Sequence, residues 1–538
     1  MGLLVQARPR RLRRPDLPVL AVLVIAAAVL MPVLVLALSW LGDESAVWQH
    51  LAQTVLADLV LNTLLLVMGV TVGVLVLGIS LAWMVSALDF PGRRFFDWAL
   101  FLPLAVPAYV LAFVALDTFD YAGPVQRLLR ETLPAFSGGS ARRPWLVILT
   151  LSLVFYPYVY MLARTAFMAQ GRTLMEQARI LGLGPYAAFW RVALPMARPA
   201  IAAGLALALM ETLADFGAVA VFNYDTFTTA IYKSWYGLFN LNAAAQLASL
   251  LLVFVLLTLA LERLGRGRAR FEQQGARQAH RVRPRGITPW LLTGFAGSVF
   301  LLAFALPVGR LLYWVVDSAW RDLDARYWGL IWRTLVLGSG AALVTVLLAL
   351  LLGYVRRTRQ HRLLHIAVRG ATVGYAMPGS VLAVGIVLSF AAIDRFLTQT
   401  FGVGQVLMGG LLALQMAYVV RFLAVAFGPV ETAFERVRPR LIDAARTLGA
   451  SPAETVRRVY LPLLTPGVLT ALLLVLIDVM KEMPATLLLR PFGWDTLSVR
   501  IYEMTAEGEW ARAALPSLSL VLAGLLPVYL LMRRTRVH

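Results

Sequence analysis

The sequence contains no cysteine and only two lysines, Lys233 and Lys481. The first absence excludes disulfides and thiolate-held metals and leaves the compartment open. Charge is sparse as well: 14% of the 538 residues are Asp, Glu, Lys or Arg, where a soluble domain carries ~25%. Histidine numbers five, at His50, His280, His361, His365 and His538. Only His361 and His365 have a ligand-like i, i+4 spacing, and they lie in an Arg-rich loop, so no metal site is expected. No G-x-x-x-x-G-K-[ST] loop exists, since Lys233-Ser234 follows Tyr232 and Lys481 precedes Glu482. The chain therefore should not hydrolyse ATP by that route. No nucleophile–base constellation supports a membrane enzyme either.

What is abundant is apolar length. Hydrophobic residues make up 60% of the chain, and they gather in runs of about 20, enough to cross a bilayer as helices. The expected fold class is all-α integral membrane, with about twelve spans. They lie near 17–40, 61–86, 98–117, 145–166, 199–221 and 243–261, then 288–315, 332–355, 370–393, 405–427, 466–488 and 515–532. The first run exceeds a signal peptide's apolar core and has no small-residue cleavage site, so it reads as a retained span. The net charge of +20 is almost all arginine, placed just outside the runs. That is the pattern of cytoplasmic loops rather than of a nucleic-acid surface. Arg8, Arg10, Arg11, Arg13, Arg14, the stretch 262–287, Arg356, Arg357 and Arg533 fall on one side of a twelve-span count. Both termini are thus expected in the cytoplasm. Arg127, Arg130, Arg142 and Arg143 fall on the other side, in a longer loop where the rule weakens.

The chain also repeats itself. A shift of 267 residues places Glu176 on Asp443, Gly182 on Gly449, Pro185 on Pro452 and Pro195 on Pro462. PAYVLA from Pro107 meets PGSVLA from Pro378 at a shift of 271, and YDTFTTAIY from Tyr224 meets WDTLSVRIY from Trp494 at 270. Ordered matches at near-constant offset indicate a duplicated unit. The expected organisation is residues 1–261 with six spans, an Arg- and Gly-rich linker at 262–287, and residues 288–538 with six more, in parallel topology. A transporter with its pathway between two such bundles follows.

The best-matched stretches are polar: EQARILGLGPYAAFWRVALP from Glu176 and DAARTLGASPAETVRRVYLP from Asp443. Each begins as a helix with an acid near its start. Gly182 and Gly449 allow a sharp turn, and Pro185 and Pro452 suit the first turn of a second helix. Leu194-Pro195 and Leu461-Pro462 are expected to stop that helix and return the chain to the membrane. The product is a short elbow projecting into the cytoplasm. This pattern, acid-x-Ala-x(3)-Gly-x(11)-Leu-Pro, resembles the EAA loop of permease subunits of binding-protein-dependent ABC importers. Gln177 and Asp443 depart mildly from that family's usual residues. The resemblance extends over nearly the whole chain as two fused permease domains, and ETLADFGAVAVFNYDTFTTAIYKSW and DVMKEMPATLLLRPFGWDTLSVRIYE are most similar to the ferric-iron uptake permeases.

The resemblance implies a type I importer permease in a bacterial inner membrane, taking iron(III) from a periplasmic solute-binding protein by alternating access. It implies coupling residues Glu176, Ala178, Gly182 and Pro195, and Asp443, Ala445, Gly449 and Pro462, docked on a separate ATP-binding subunit, two copies for two elbows. ATP and Mg would sit on that partner, with no cofactor on this chain. Thiamine, phosphonate, polyamine or sulfate are the alternative cargoes. A major-facilitator carrier, suggested by DFPGRR at Asp89, explains neither elbow.

Charge inside spans is costly and marks watery paths or buried pairs. Glu211 and Asp215 fall in the fifth run, Asp478, Lys481 and Glu482 in the eleventh, and the repeat shift sets Glu211 on Asp478 and Asp215 on Glu482. Spacing of four places each pair on one helical face. A polar translocation path and a set of inter-helix pairs both fit. Asp225 and Asp495, in the outer aromatic segments, fit contact with a binding protein or local turn bonding.

Overall fold

Apolar runs in a bilayer must satisfy their own backbone, and the helix does so within one segment. The computed structural model describes residues 17–42, 45–133, 139–170, 182–266, 281–317, 322–359, 362–402, 404 and 406–536. The described residues are helical almost throughout, with one isolated β-bridge, Leu88 to Val282. In chain order the helices that matter here are α1 Leu17–Leu38, α2 Leu56–Ala87, α3 Arg93–Ala99, α4 Ala108–Phe119, α5 Pro144–Ala169, α6 Leu194–Ala214, α7 Gly217–Val221 and α8 Leu241–Arg266. The second half adds α9 Thr288–Asp317, α10 Ala325–Thr358, α11 Gly379–Phe401, α12 Leu411–Arg436, α13 Leu461–Lys481, α14 Pro484–Leu489 and α15 Ala514–Arg536.

Ten of the described helices are long and apolar enough to cross a membrane, and a bent pair makes an eleventh. The expected twelfth, Ala514–Tyr529, is apolar but shorter. Four expected spans are broken. The third bends by 97° between Ala105 and Ala108, and the ninth begins only at Gly379. In both a proline pushes its predecessor out of the helical region: Val106 has ψ 119° and Met377 ψ 124°. The fifth and eleventh end at Ala214 and Lys481, short of the expected 221 and 488. There an acid turns extended and caps a new short helix.

Each half has a three-helix core closed by small residues, as membrane helix packing requires. In the first, α2 and α6 lie against α5. A Cβ at Gly78 would stand 2.7 Å from the Val159 side chain, and one at Gly204 would stand 2.8 Å from the Tyr158 carbonyl. In the second, α10 and α13 lie against α12, with Gly353 facing Phe434 and Gly467 facing the Pro429 carbonyl. The first helix of each half is exchanged. Val22, Ala26 and Val29 of α1 are buried in the core that holds α10 to α12. Ala296, Val299, Ala303, Leu311 and Trp314 of α9 are buried in the core of α2, α4 and α5.

The end of the linker is part of this exchange. Val282 lies beside the turn after α2, its N–H donating to the Ala87 carbonyl at 2.9 Å and its carbonyl accepting from the Asp89 N–H at 2.9 Å. Arg283 pairs with Asp89 at 3.1 Å, and the Thr293 hydroxyl donates to the Pro91 carbonyl at 2.8 Å. DFPGRR is thus a docking turn for the linker. Arg281, crowded by Arg93 and Arg164 in this partly buried corner, has its pKa lowered, chiefly by desolvation.

Candidate translocation site and elbows

The backbone of the elbow near Asp443 is described throughout. The helix Pro439–Thr447 ends at Gly449, whose φ of 81° is the left-handed turn that glycine adopts without strain. A capping box follows: the Ser451 N–H donates to Glu454 and the Glu454 N–H donates to the Ser451 hydroxyl. Asp443 is exposed and Ala445 half-buried, while Leu448 at the tip is 86% exposed. The elbow is braced from α10, where Arg356 pairs with Glu431 and Arg357 donates to the Val437 carbonyl. In the other elbow Gly182 repeats the turn with φ 79°. Glu176 and Ala178 lie outside the described residues.

Pro195 and Pro462 do not stop a helix, contrary to expectation. Each follows a π-helical turn, Phe189–Ala193 or Val456–Tyr460, and the helix continues into α6 or α13. The Leu194 N–H bonds to Phe189 and the Leu461 N–H to Val456, each five residues back. The extra residue in the turn displaces the carbonyl that the proline ring would otherwise meet. The elbow is therefore rigidly continuous with the helix that reaches the membrane interior.

At the far end of those helices the four acids meet. Glu211, Asp215, Asp478 and Glu482 all line one cavity of about 190 Å³ between the halves. Asp215 follows the end of α6 and caps α7, accepting from the Ala218 and Val219 N–H groups at 3.0 and 3.2 Å. Glu482 follows α13 and caps α14, accepting from the Ala485 N–H at 3.0 Å. The likeness extends outward: the Thr228 hydroxyl donates to the Asp215 carbonyl at 2.8 Å and the Ser498 hydroxyl to the Glu482 carbonyl at 3.0 Å. So each pair does not share one helical face, as expected; its second acid stands in the break that follows the helix.

The other polar groups are unevenly shared. Arg421 of α12 lies 3.2 Å from Glu482, with both side chains under 10% exposed, and donates to the Met377 carbonyl at 3.0 Å. The Lys481 ammonium donates to the Leu104 carbonyl of the first half at 3.1 Å. The Tyr375 hydroxyl, at the position equivalent to Leu104, donates to Glu211 at 2.8 Å. Tyr109 and Tyr158 also line the cavity. Phe216, next after Asp215, packs against Tyr232 and Tyr502 at 5.3 and 5.4 Å. Met483, next after Glu482, lies against Gly217. Phe216 and Met483 both line the cavity.

Two further acids are locally paired. Asp225 binds Lys233 at 2.6 Å and accepts from the Thr229 hydroxyl, and Asp495 binds Arg490. Among the described residues no three His, Asp or Glu side chains group closely enough to hold a metal ion.

Two segments, residues 74–266 and 345–536, match the family described as the binding-protein-dependent transport system inner membrane component. The chain belongs to that family. It is a multi-pass inner-membrane permease component of an ABC importer, with the permease domain present twice. It is 30% identical over 483 residues to the Fe(3+)-transport system permease protein FbpB 2 of Haemophilus influenzae, covering 88% of this chain and 90% of that one. It is 34% identical over 163 residues to a putative 2-aminoethylphosphonate transport system permease protein, PhnV, of Salmonella typhimurium, covering 30% and 56%. It is 29% identical over 203 residues to the molybdenum transport system permease protein ModB of Escherichia coli, covering 36% and 87%.

Sequence reasoning passed over Arg421, Tyr109 and Tyr375. Arg421 had a signal, being a lone charge in AYVVRFLAVAF. The tyrosines had none, because tyrosine is common wherever membrane helices end or bend.

Proposed function

We propose that this permease carries iron(III), delivered by a periplasmic binding protein, through the cavity between its halves. The observation that supports a cationic cargo is the charge of that cavity: four carboxylates and three phenols against one arginine and one lysine. Two unit charges about 6 Å apart at an effective dielectric of about 20 interact by about 3 kcal/mol. A bare dianion such as sulfate or molybdate would meet that repulsion several times over, whereas a trivalent cation would be drawn in. Carboxylate and phenol oxygens are hard donors suited to such an ion. Loose lining rather than convergence leaves it free to depart. The long match to an Fe(3+) permease points the same way.

The halves are 1–261 and 288–538, with 262–287 as a cytoplasmic linker and both termini in the cytoplasm. The elbows face the cytoplasm and seat two copies of an ATP-binding subunit, which holds ATP and Mg. The exposed Leu448 and Asp443 fit such a seat. Closure of the ATPase pair moves the elbows, and the continuous helices behind them carry that motion to Asp215 and Glu482. Binding must differ between the two states for this to drive anything. The test is uptake by proteoliposomes holding permease, ATPase and binding protein, offered iron(III), 2-aminoethylphosphonate, molybdate and sulfate in turn. ATP-dependent uptake of an oxyanion in preference to iron would overturn the reading.

A further inference from the structure

The two halves repeat one another, yet their contributions to the cavity differ in sign. Arg421 and Lys481 both come from the second half, and at the shift of 267 their counterparts are Val154 and Ala214. Glu482 is held by Arg421. Asp478 stands one helical turn before Lys481, so that ammonium is its nearest built-in counter-charge along the helix. Lys481 is itself seated: a Cβ at Gly524 of α15 would stand 2.8 Å from its ammonium, so the glycine leaves the notch in which it meets the Leu104 carbonyl. Both cations also face Glu211 across the cavity, but Arg421 acts first on Glu482 and Lys481 first on Asp478, and among the described residues no cation acts on Asp215. Glu211 accepts a phenol hydrogen bond and Asp215 two backbone N–H bonds, and neither has an ion-pair partner among the described residues.

The hydroxyls differ as well. Tyr109 of α4 lines the cavity, is 6% exposed, and its hydroxyl has no hydrogen-bond partner among the described residues. Its ring packs against Gly217, two residues beyond Asp215. At the shift of 271 its counterpart in the second half is Ser380, whose hydroxyl is likewise unpartnered among the described residues but does not line the cavity. A buried hydroxyl without a partner is costly unless something else satisfies it.

We propose that the cargo cation is held in passing by the first half alone, at Glu211, Asp215 and the Tyr109 oxygen. Arg421 and Lys481 of the second half are resident counter-charges that neutralise chiefly their own side and, by reaching Glu211 as well, keep the site weak. Two carboxylates and one neutral phenol oxygen form a hard but incomplete donor set, which a trivalent ion enters and leaves. The fixed ammonium opposes every entering cation, and a higher charge gains more from the two bare carboxylates. The inference rests on the cationic reading above and adds which half touches the ion.

The test uses purified full-length permease in nanodiscs and terbium(III), a hard trivalent probe whose emission is sensitised by a nearby tyrosine. E211Q and D215N are expected to weaken saturable binding about tenfold or more. Y109F is expected to weaken it and to dim the sensitised emission at saturation. K481Q is expected to tighten it about tenfold, a direction that a misfolded variant cannot produce. Weaker binding in K481Q, or unchanged binding in both E211Q and D215N, overturns the assignment. Absence of saturable emission from the wild type also overturns it. In that case iron uptake by the proteoliposomes still decides the importer reading separately.

Discussion

Removing the arginine at position 421 should be far more damaging than removing it together with its partner. The Arg421 and Glu482 side chains are 9% and 5% exposed and lie 3.2 Å apart. The contact is mainly Coulombic, since Nε is not aligned to donate and has no other acceptor among the described residues. R421Q leaves a buried carboxylate with, among the described residues, only the Ala485 N–H as a donor, and breaking a buried pair this way costs about 3–5 kcal/mol. The lower end applies, because both side chains border the cavity rather than a closed core. E482Q strands a buried guanidinium at similar cost. In R421Q/E482Q neither charge remains, and replacing a whole buried pair is often close to neutral. What remains is the poorer partner for the Met377 carbonyl, about 1 kcal/mol. Reversible unfolding in mixed micelles would give all three values. A coupling energy of about 3 kcal/mol or more is expected. Additivity within about 0.5 kcal/mol would show that the pair is already hydrated and holds nothing.

Three more outcomes follow from particular contacts. G204L should separate α6 from α5, since its side chain would point at the Tyr158 carbonyl and Val159 Cα; a loss of about 1–3 kcal/mol, read by thermal unfolding in detergent, is expected. G449V should strain the turn after the elbow helix, where φ is 81°, by about 1–2 kcal/mol, and copurification should then show less ATPase bound to normally expressed permease. V282P removes the N–H that donates to Ala87, so the linker should be nicked faster in limited proteolysis while ATP-dependent uptake of the cargo is retained.

The spans, the duplication and the elbows were legible because hydrophobic length and repeated polar words survive in one dimension. The position of the breaks was not. Asp215 and Glu482 look like residues on a helix face until their carboxylates are seen to accept the N–H groups of the next helix. Leu-Pro looked like a terminator because proline opposes a helix, and only the preceding π turn removes that opposition. The four acids were found by their cost of burial. Their asymmetry was not, because it rests on Arg421, about sixty residues distant from Glu482 in sequence, and on a tyrosine hydroxyl that no described residue satisfies.

The exchanged first helices bear on how the protein is made. Membrane helices enter the bilayer in the order of synthesis, and domains generally complete folding as they emerge. Here α1 is made first, yet its seat includes Gly385 of α11, against which Pro32 packs. Neither half can finish before the other has begun. Until α9 arrives, the surface around Phe95 and Phe96 stands open to lipid, with Phe300 and Gly297 as its eventual cover. A ribosome halted after the linker would leave an incomplete bundle, with α1 lacking its seat against α10 to α12. Assembly of the two halves in a fixed ratio is thereby written into the order of a single message.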